Sequence, residues 1–412
     1  LNSILRLAKI YIFKLTFTFS VIGIGITLKR LILRTIRIKV HQQKIWLRSK
    51  SLKRTGGFKR HMSYQNFKSD YIQFNSFDEK DSAELSKALD VFINSFDNGE
   101  YVFKERDIEN SQHLKSIYIK KDECFCYFNE KKNALNVVMK FPCFDRLSRN
   151  ATNNRNIQER LDYLGFLISR YVTRAFMLNI ILSLSLAMGE YYFFYGNYGN
   201  YHYFEDKEKA DKYFDCFLTG ITRSESVDIV LSSKVRGYFE LVNCFDPFVN
   251  RIAFYFLQFK HYERHSDISA CCLNFDNMIH SIILYLKNKN PECFGEKKKR
   301  KDTVPIMFKL LSVNDKEMQS VIISLYNIRC QLVAHASDAD WWDFSEMFED
   351  YFEELKIYVR RMMVLLLKFD SKNRKDIFPM KSWSQWVKDN ISDVFDSNFF
   401  NLHEKIFGKN TK

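Results

Sequence analysis

Glycine and proline are scarce, with 13 and 5 residues in a chain of 412. Both punctuate turns and loops, so their shortage counts against Pro-rich and loop-dominated β architectures and favours helices. The nine cysteines are odd in number and form no C-x-x-C. That argues against a disulfide framework or a zinc ribbon and fits a reducing cytosol. There is no Gly-rich phosphate loop, no G-x-S-x-G and no paired-carboxylate motif, so the common phosphate-loop and nucleophile-elbow chemistries have no signature here. Acidic residues are missing altogether from the first 61 positions.

That last absence relocates the net charge of +14. Residues 1–61 carry 15 of the 63 Lys and Arg, leaving 48 to face all 49 Asp and Glu, so the body is net −1. A basic domain of the histone or ribosomal-protein kind is excluded. With 46% hydrophobic and 27% charged residues the composition is that of an ordinary globular protein. The 39 Phe and 22 Tyr accompany many Lys, Asn and Ile. This combination reads as AT-rich coding bias, so aromatic content alone is not a functional signal.

The leader contains an uncharged run of 14, Leu15–Leu28, against the roughly 20 residues that cross a bilayer. No small-x-small cleavage pattern follows it. Three readings stand: an over-extended reading frame, a membrane anchor and a basic arm. The first is preferred. Thr55-Gly56-Gly57 can be encoded as a ribosome-binding sequence shortly before Met62, the first methionine. The expected protein is then cytoplasmic, with no membrane association unless residues 1–61 are expressed.

The remaining 351 residues are long enough for two cores. An α+β, mostly α chain is expected, with a domain at 62–245 that senses or regulates and a helical domain at 246–412. Ser116–Ile119, Cys124–Phe128 and Leu135–Phe141 read as a β-meander. From Asn156 to Met188 the period is helical, and the uncharged stretch Ala175–Gly189 reads as a buried core helix rather than a membrane span. Tyr191–Phe204 (YYFFYGNYGNYHYF) offers two readings: a stacking surface for single-stranded RNA, or a hairpin or loop. The second is preferred, because the segment has no Lys or Arg and RNA grooves need them. Val249–Glu263 and Ser269–Lys287 form an expected antiparallel helix pair. The run Lys297-Lys298-Lys299-Arg300-Lys301 should stay solvated, with RNA phosphate as its candidate partner. Asn314 offers a cap for a helix striped by Met318, Val321, Leu325, Ile328 and Leu332. A long helix after Asp340 carries Trp341, Phe344, Phe348, Tyr351, Leu355, Tyr358, Met362 and Leu365, and a last helix covers about Trp383–Phe395. His261 and His265 lie one helical turn apart but have no third ligand, and Cys124/Cys126 and Cys271/Cys272 have no partners. No metal and no cofactor is expected.

One stretch carries chemistry. In Leu325-Tyr-Asn-Ile-Arg-Cys-Gln-Leu-Val-Ala-His335 an Arg and a His stand six positions apart. On an unbroken helix six residues rotate by about 600°, which leaves the side chains roughly 120° apart. They converge only if the helix ends between them or a second copy brings its own pair. Ala336-Ser337-Asp338-Ala339-Asp340 is turn and cap material that suits such an end.

This stretch resembles the HEPN superfamily, whose signature is Arg-x(4–6)-His at a helix end in a helical bundle, and most closely the Apea-like HEPN group. The resemblance covers about Val249–Phe369. It implies metal-independent cleavage of RNA in a site built by two facing domains, hence a homodimer. His335 would be the general acid/base and Arg329 would hold the scissile phosphate. It further implies a bacterial antiphage or toxin-type effector, whose partners would include a phage-derived trigger or an antitoxin. Two positions depart from the family pattern: Cys330 stands where active members commonly have Asn, Asp or His, and Ala336 replaces a frequent Gly. The alternative is a non-catalytic HEPN protein that binds RNA or a protein partner. A third reading, a membrane-anchored helical protein, depends on residues 1–61. Peptide mass spectrometry of the native protein is expected to find nothing from Arg34–Lys50, and recovery of such a peptide would show that the leader is expressed.

Overall fold

A helix that is apolar around most of its circumference needs cover on every side, and the chain is organised around one. A computed structural model describes residues 63–75, 79–115, 117–121, 123–194, 201–222, 229–296, 299–329, 341–374 and 382–397. Side chains at 74, 121, 222, 229–230, 328–329, 341–350, 393 and 395–397 are outside that description. The chain divides into units Leu1–His61 and Met62–Lys412, and all described residues belong to the second. Its architecture is α+β and mostly α.

Two helices open it, α1 (Tyr64–Phe74) and α2 (Glu79–Asn94). Leu85, Ala88, Leu89, Phe92 and Ile93 of α2 are buried at successive spacings of three and one, the signature of one apolar stripe. An antiparallel sheet follows: β1 (Tyr101–Glu109), β2 (Tyr118–Lys121), β3 (Cys124–Asn129) and β4 (Ala134–Pro142), in spatial order β2-β3-β4-β1. The last three strands are the expected meander, displaced by one or two residues. β1 lay hidden in the sequence because YVFKERDIE puts four charged residues in its middle, where a half-buried strand should alternate. It pairs with β4 from Tyr101↔Pro142 to Ile108↔Leu135.

The central helix α3 spans Arg155–Met188. Asn154 caps it by accepting from the amides of Asn156 and Ile157, and Gly189 closes it in the left-handed region at φ 82°. Its length and composition would allow it to cross a membrane, but 83% of its apolar window is buried inside the fold. One sheet face, with Val102, Ile108, Val137, Met139 and Phe141, belongs to the same core as α3. At Gly165 a Cβ would stand 2.0 Å from the carbonyl oxygen of Phe144, so only glycine allows this approach.

After α3, β5 (Phe193–Phe194) and β6 (Tyr201–Phe204) both pair with β1, so the described parts of the tyrosine-rich segment are edge strands. Helix α4 (Lys207–Thr222) covers the other sheet face, where Phe103, Phe125, Tyr127, Val138 and Phe214 form a second core. Its rings meet edge to face, with Phe125 and Phe214 5.1 Å apart.

The rest is helical: α5 (Ile229–Leu241), α6 (Pro247–Arg264), α7 (Ile268–Lys289), the short α8 (Pro291–Phe294), α9 (Arg300–Leu310), α10 (Lys316–Arg329), α11 (Trp341–Asn373) and α12 (Trp383–Ser397). Asp246 caps α6, with Pro247 in its first turn, and Asp267 caps α7. α6 and α7 pack as the expected pair, and α11 packs against both. The Tyr285 hydroxyl donates to Asp370 at 2.6 Å and ties α7 to α11, while burial raises the Asp370 carboxyl above its usual range. Leu355, Tyr358 and Met362 of the expected α11 stripe are buried, but Tyr351 is 40% exposed. Asp315 caps α10, not Asn314: its carboxylate accepts from the Met318 amide at 2.9 Å, which together with Arg361 holds its pKa below the usual range.

One continuous core runs from Phe67 to Val394 and crosses the expected boundary at 245/246. Phe245 stacks edge to face on Phe176 and Trp386. Asp97 accepts from the Ser382 hydroxyl and the Trp383 amide, so the β-containing half caps α12. Gly165→Ala is expected to lower the unfolding free energy by about 2–3 kcal/mol in urea denaturation. Gly220→Ala, whose Cβ would meet nothing within 4 Å, should change it by less than about 1 kcal/mol.

Candidate functional site

The candidate site lies at one end of the helical half. α9 and α10 pack together, joined by the short connection 311–315, in which Ser312 adopts φ 57°. An antiparallel hairpin of this kind puts the start of α9 beside the end of α10. The contact is explicit: the Arg300 guanidinium carbon lies 4.8 Å above the Tyr326 ring. Tyr326 is one helical turn before Arg329, the last residue of α10. Two groups singled out separately in the sequence, the basic run and the arginine of the Arg-x(5)-His motif, therefore come to the same end of the fold.

Arg300 does not behave as the sequence suggested. Its Nη2 donates to Asp276 Oδ1 at 2.6 Å and to the Asp276 carbonyl oxygen at 3.4 Å. The two side chains are 6% and 5% exposed. Arg300 is therefore removed from the set of solvated RNA-binding cations: α7 holds its charge, and its planar head is sandwiched against Tyr326. The reason is local. α9 begins at Arg300, and the first turn of that helix faces the core through Arg300, Thr303 and Val304. Lys299 and Lys301 point away and are exposed. Lys297 and Lys298 lie outside the described residues, as do Cys330, His335 and the whole connection 330–340. Arg329 is described as the end of α10, without its side chain.

Sequence reasoning missed Asp276 and Tyr326. The available signal was an acid at 276, between Phe275 and Met278 of the α7 apolar stripe, since a carboxylate so placed needs a cation.

A second concavity of about 610 Å³ lies where the turn after β1 meets α6 and α11. Asn110, His113, Glu190, Tyr191, Lys260 and Arg264 contribute to its wall. Asn110 sits at φ 61°, and its side-chain nitrogen is buried without a partner. His261 packs on Tyr191 at 5.0 Å, and burial with the nearby His265 and Arg264 lowers its pKa. Lys260 pairs with Glu263 at 2.5 Å. The cleft thus presents both signs of charge and favours no one ligand class. Among the described residues no group of three or more His, Cys, Asp or Glu is placed to hold a metal.

No family model, no curated protein and no solved structure matches the chain. The Asp276–Arg300 pair separates structural from functional cations. Arg300→Ala, which leaves a buried carboxylate unpaired, is expected to cost about 3–5 kcal/mol in urea unfolding. Lys301→Ala should cost less than about 0.5 kcal/mol, and equal effects would refute the assignment.

Proposed function

We propose that the chain is a metal-independent endoribonuclease of the HEPN type, acting in the cytoplasm as a bacterial antiphage or toxin effector. Its C-terminal half would be a HEPN-like bundle, and Arg329 and His335 would work in a site composed by two copies of the chain. The observation that supports this reading is that the start of α9, which carries the exposed Lys299 and Lys301, lies beside the end of α10, whose last residue is Arg329. Cations on separate helices gathered at one end are what an RNA phosphate requires.

The chemistry follows from the residue types. His335 takes the proton of a ribose 2′-hydroxyl as its oxygen attacks the adjacent phosphorus. The bond from phosphorus to the 5′-oxygen breaks, and that oxygen receives a proton. The products are a 2′,3′-cyclic phosphate and a 5′-hydroxyl. An imidazole titrating near neutrality suits both transfers. Arg329 stabilises the charge that builds on the phosphoryl oxygens. One chain carries one Arg-x(5)-His motif, so a homodimer supplies the second. A cytosolic ribonuclease also needs restraint, which the β-containing half would provide, with a phage-derived trigger or an antitoxin as its partner. Cys330, in place of a polar residue, favours a second reading, a non-catalytic HEPN protein that binds RNA or a protein partner.

The test is incubation of the purified protein with total RNA, with and without EDTA, followed by mapping of 3′ ends. Cleavage should persist in EDTA, leave cyclic phosphates and spare DNA. Arg329→Ala and His335→Ala should each reduce it by about 100-fold or more. Equal cleavage by the three proteins would end the nuclease reading.

A further inference from the structure

The tyrosine-rich edge has no Lys or Arg of its own in sequence, and the fold brings it one exposed cation, Arg146, and two more enclosed ones, Lys104 and Arg106. β6 lies along β1 with Tyr201 opposite Lys104 and Tyr203 opposite Val102. Side chains alternate along a strand, so Tyr201 and Tyr203 share a face with Lys104 and Arg106. Arg106 Nη2 donates to the Tyr201 hydroxyl at 2.7 Å, and its guanidinium carbon is 5.6 Å from the ring centre. Lys104 Nζ is 5.2 Å from the same centre and donates to Ser169 of α3 at 3.0 Å. Arg146, exposed after β4, stacks on Tyr203 with its guanidinium carbon 3.5 Å from the ring centre. Asp145, which accepts from the Cys143 thiol at 3.3 Å, is the carboxylate in this group.

Tyr201 is 37% and Tyr203 43% exposed. Arg146 packs on the Tyr203 ring, and Arg106 with Lys104 holds the Tyr201 ring, so both rings are fixed in place while remaining partly exposed. Two residues apart on a strand, the rings stand about 7 Å from each other. That spacing lets successive unpaired bases stack on separate rings while the exposed Arg146 meets a phosphate; Arg106, 9% exposed, and the half-buried Lys104 serve to hold Tyr201 in place.

We infer that the face formed by Lys104, Arg106, Arg146, Tyr201 and Tyr203 is a stacking platform for single-stranded RNA, separate from the Arg329 end of the helical half. The inference takes from the proposed function only that RNA is the ligand. Charge complementarity selects RNA over an apolar partner, and the exposed rings select a single strand over a duplex, whose bases are already stacked.

The experiment is fluorescence anisotropy of the His335→Ala protein with a labelled 20-nucleotide uridine oligomer, with duplex RNA as competitor. Tyr201→Ala and Tyr203→Ala should each weaken binding about tenfold, while Tyr201→Phe and Tyr203→Phe keep it within about twofold, because the phenyl ring retains the stack. Arg146→Glu should weaken binding and flatten its dependence on salt by about one unit of slope. No binding of the oligomer, an affinity indifferent to all these changes in proteins of unchanged circular dichroism, or equally tight binding of duplex overturns the platform. Cleavage scored in parallel on the protein with His335 intact keeps the two ideas apart. RNA that is bound through the tyrosines but never cut ends the nuclease and leaves the platform. RNA that is cut, with affinity indifferent to Tyr201 and Tyr203, does the reverse.

Discussion

The burial of α3 is the constraint on which the rest depends. A 34-residue helix with an apolar surface nearly all round is insoluble unless covered. The sheet covers one side, and α5, α6 and α12 pack against it as well. Each cover is then fixed in turn. The sheet reaches α3 closely only because residue 165 lacks a Cβ, and α12 is held where Asp97 caps it. The hydrophobic area removed from water is the main driving force of this arrangement, and the polar pins select one geometry among the compact alternatives.

Charge is distributed by a different rule. Two pairs carry charge into the core, Arg300 with Asp276 and Lys140 with Glu123, the latter at 2.8 Å. Burial of either member alone would cost several kcal/mol, roughly what its partner and hydrogen bonds return. Exposed cations are spread over the surface; among them, Lys299 and Lys301 lie at the start of α9 and Arg146 at the tyrosine-bearing sheet edge. A body of net −1 has no long-range field to draw in RNA. Any affinity must come from such local groups, and it should be weak and salt-sensitive.

Much of the fold was legible from local pattern. The long helix from Asn156 to Met188, the α6–α7 pair and three strands of the meander follow from periods of 3.6 and 2. β1 was not legible, because Lys104, Glu105, Arg106 and Asp107 break the alternation, and their compensation comes from residues dozens of positions away. The cap of α10 was misplaced by one residue, since Asn314 and Asp315 are both good caps and only the helix start chooses between them. Of the candidate site, the sequence marked Arg329 and the 297–301 run, with no means of telling that Arg300 would turn inward.

By itself the sequence determined the class, α+β with helices dominant, the neutrality of the body and the one Arg–His motif. These depend on composition and on neighbours within a turn or two. The tertiary structure decided which cations are spent and which are offered. It buried Arg300 against Asp276, left Lys299 and Lys301 exposed at the start of α9, set the exposed Arg146 on Tyr203, and turned Arg106 and Lys104 inward beside Tyr201. Such choices rest on contacts between distant segments, whose closure depends on the whole core, so no local window of the sequence can encode them.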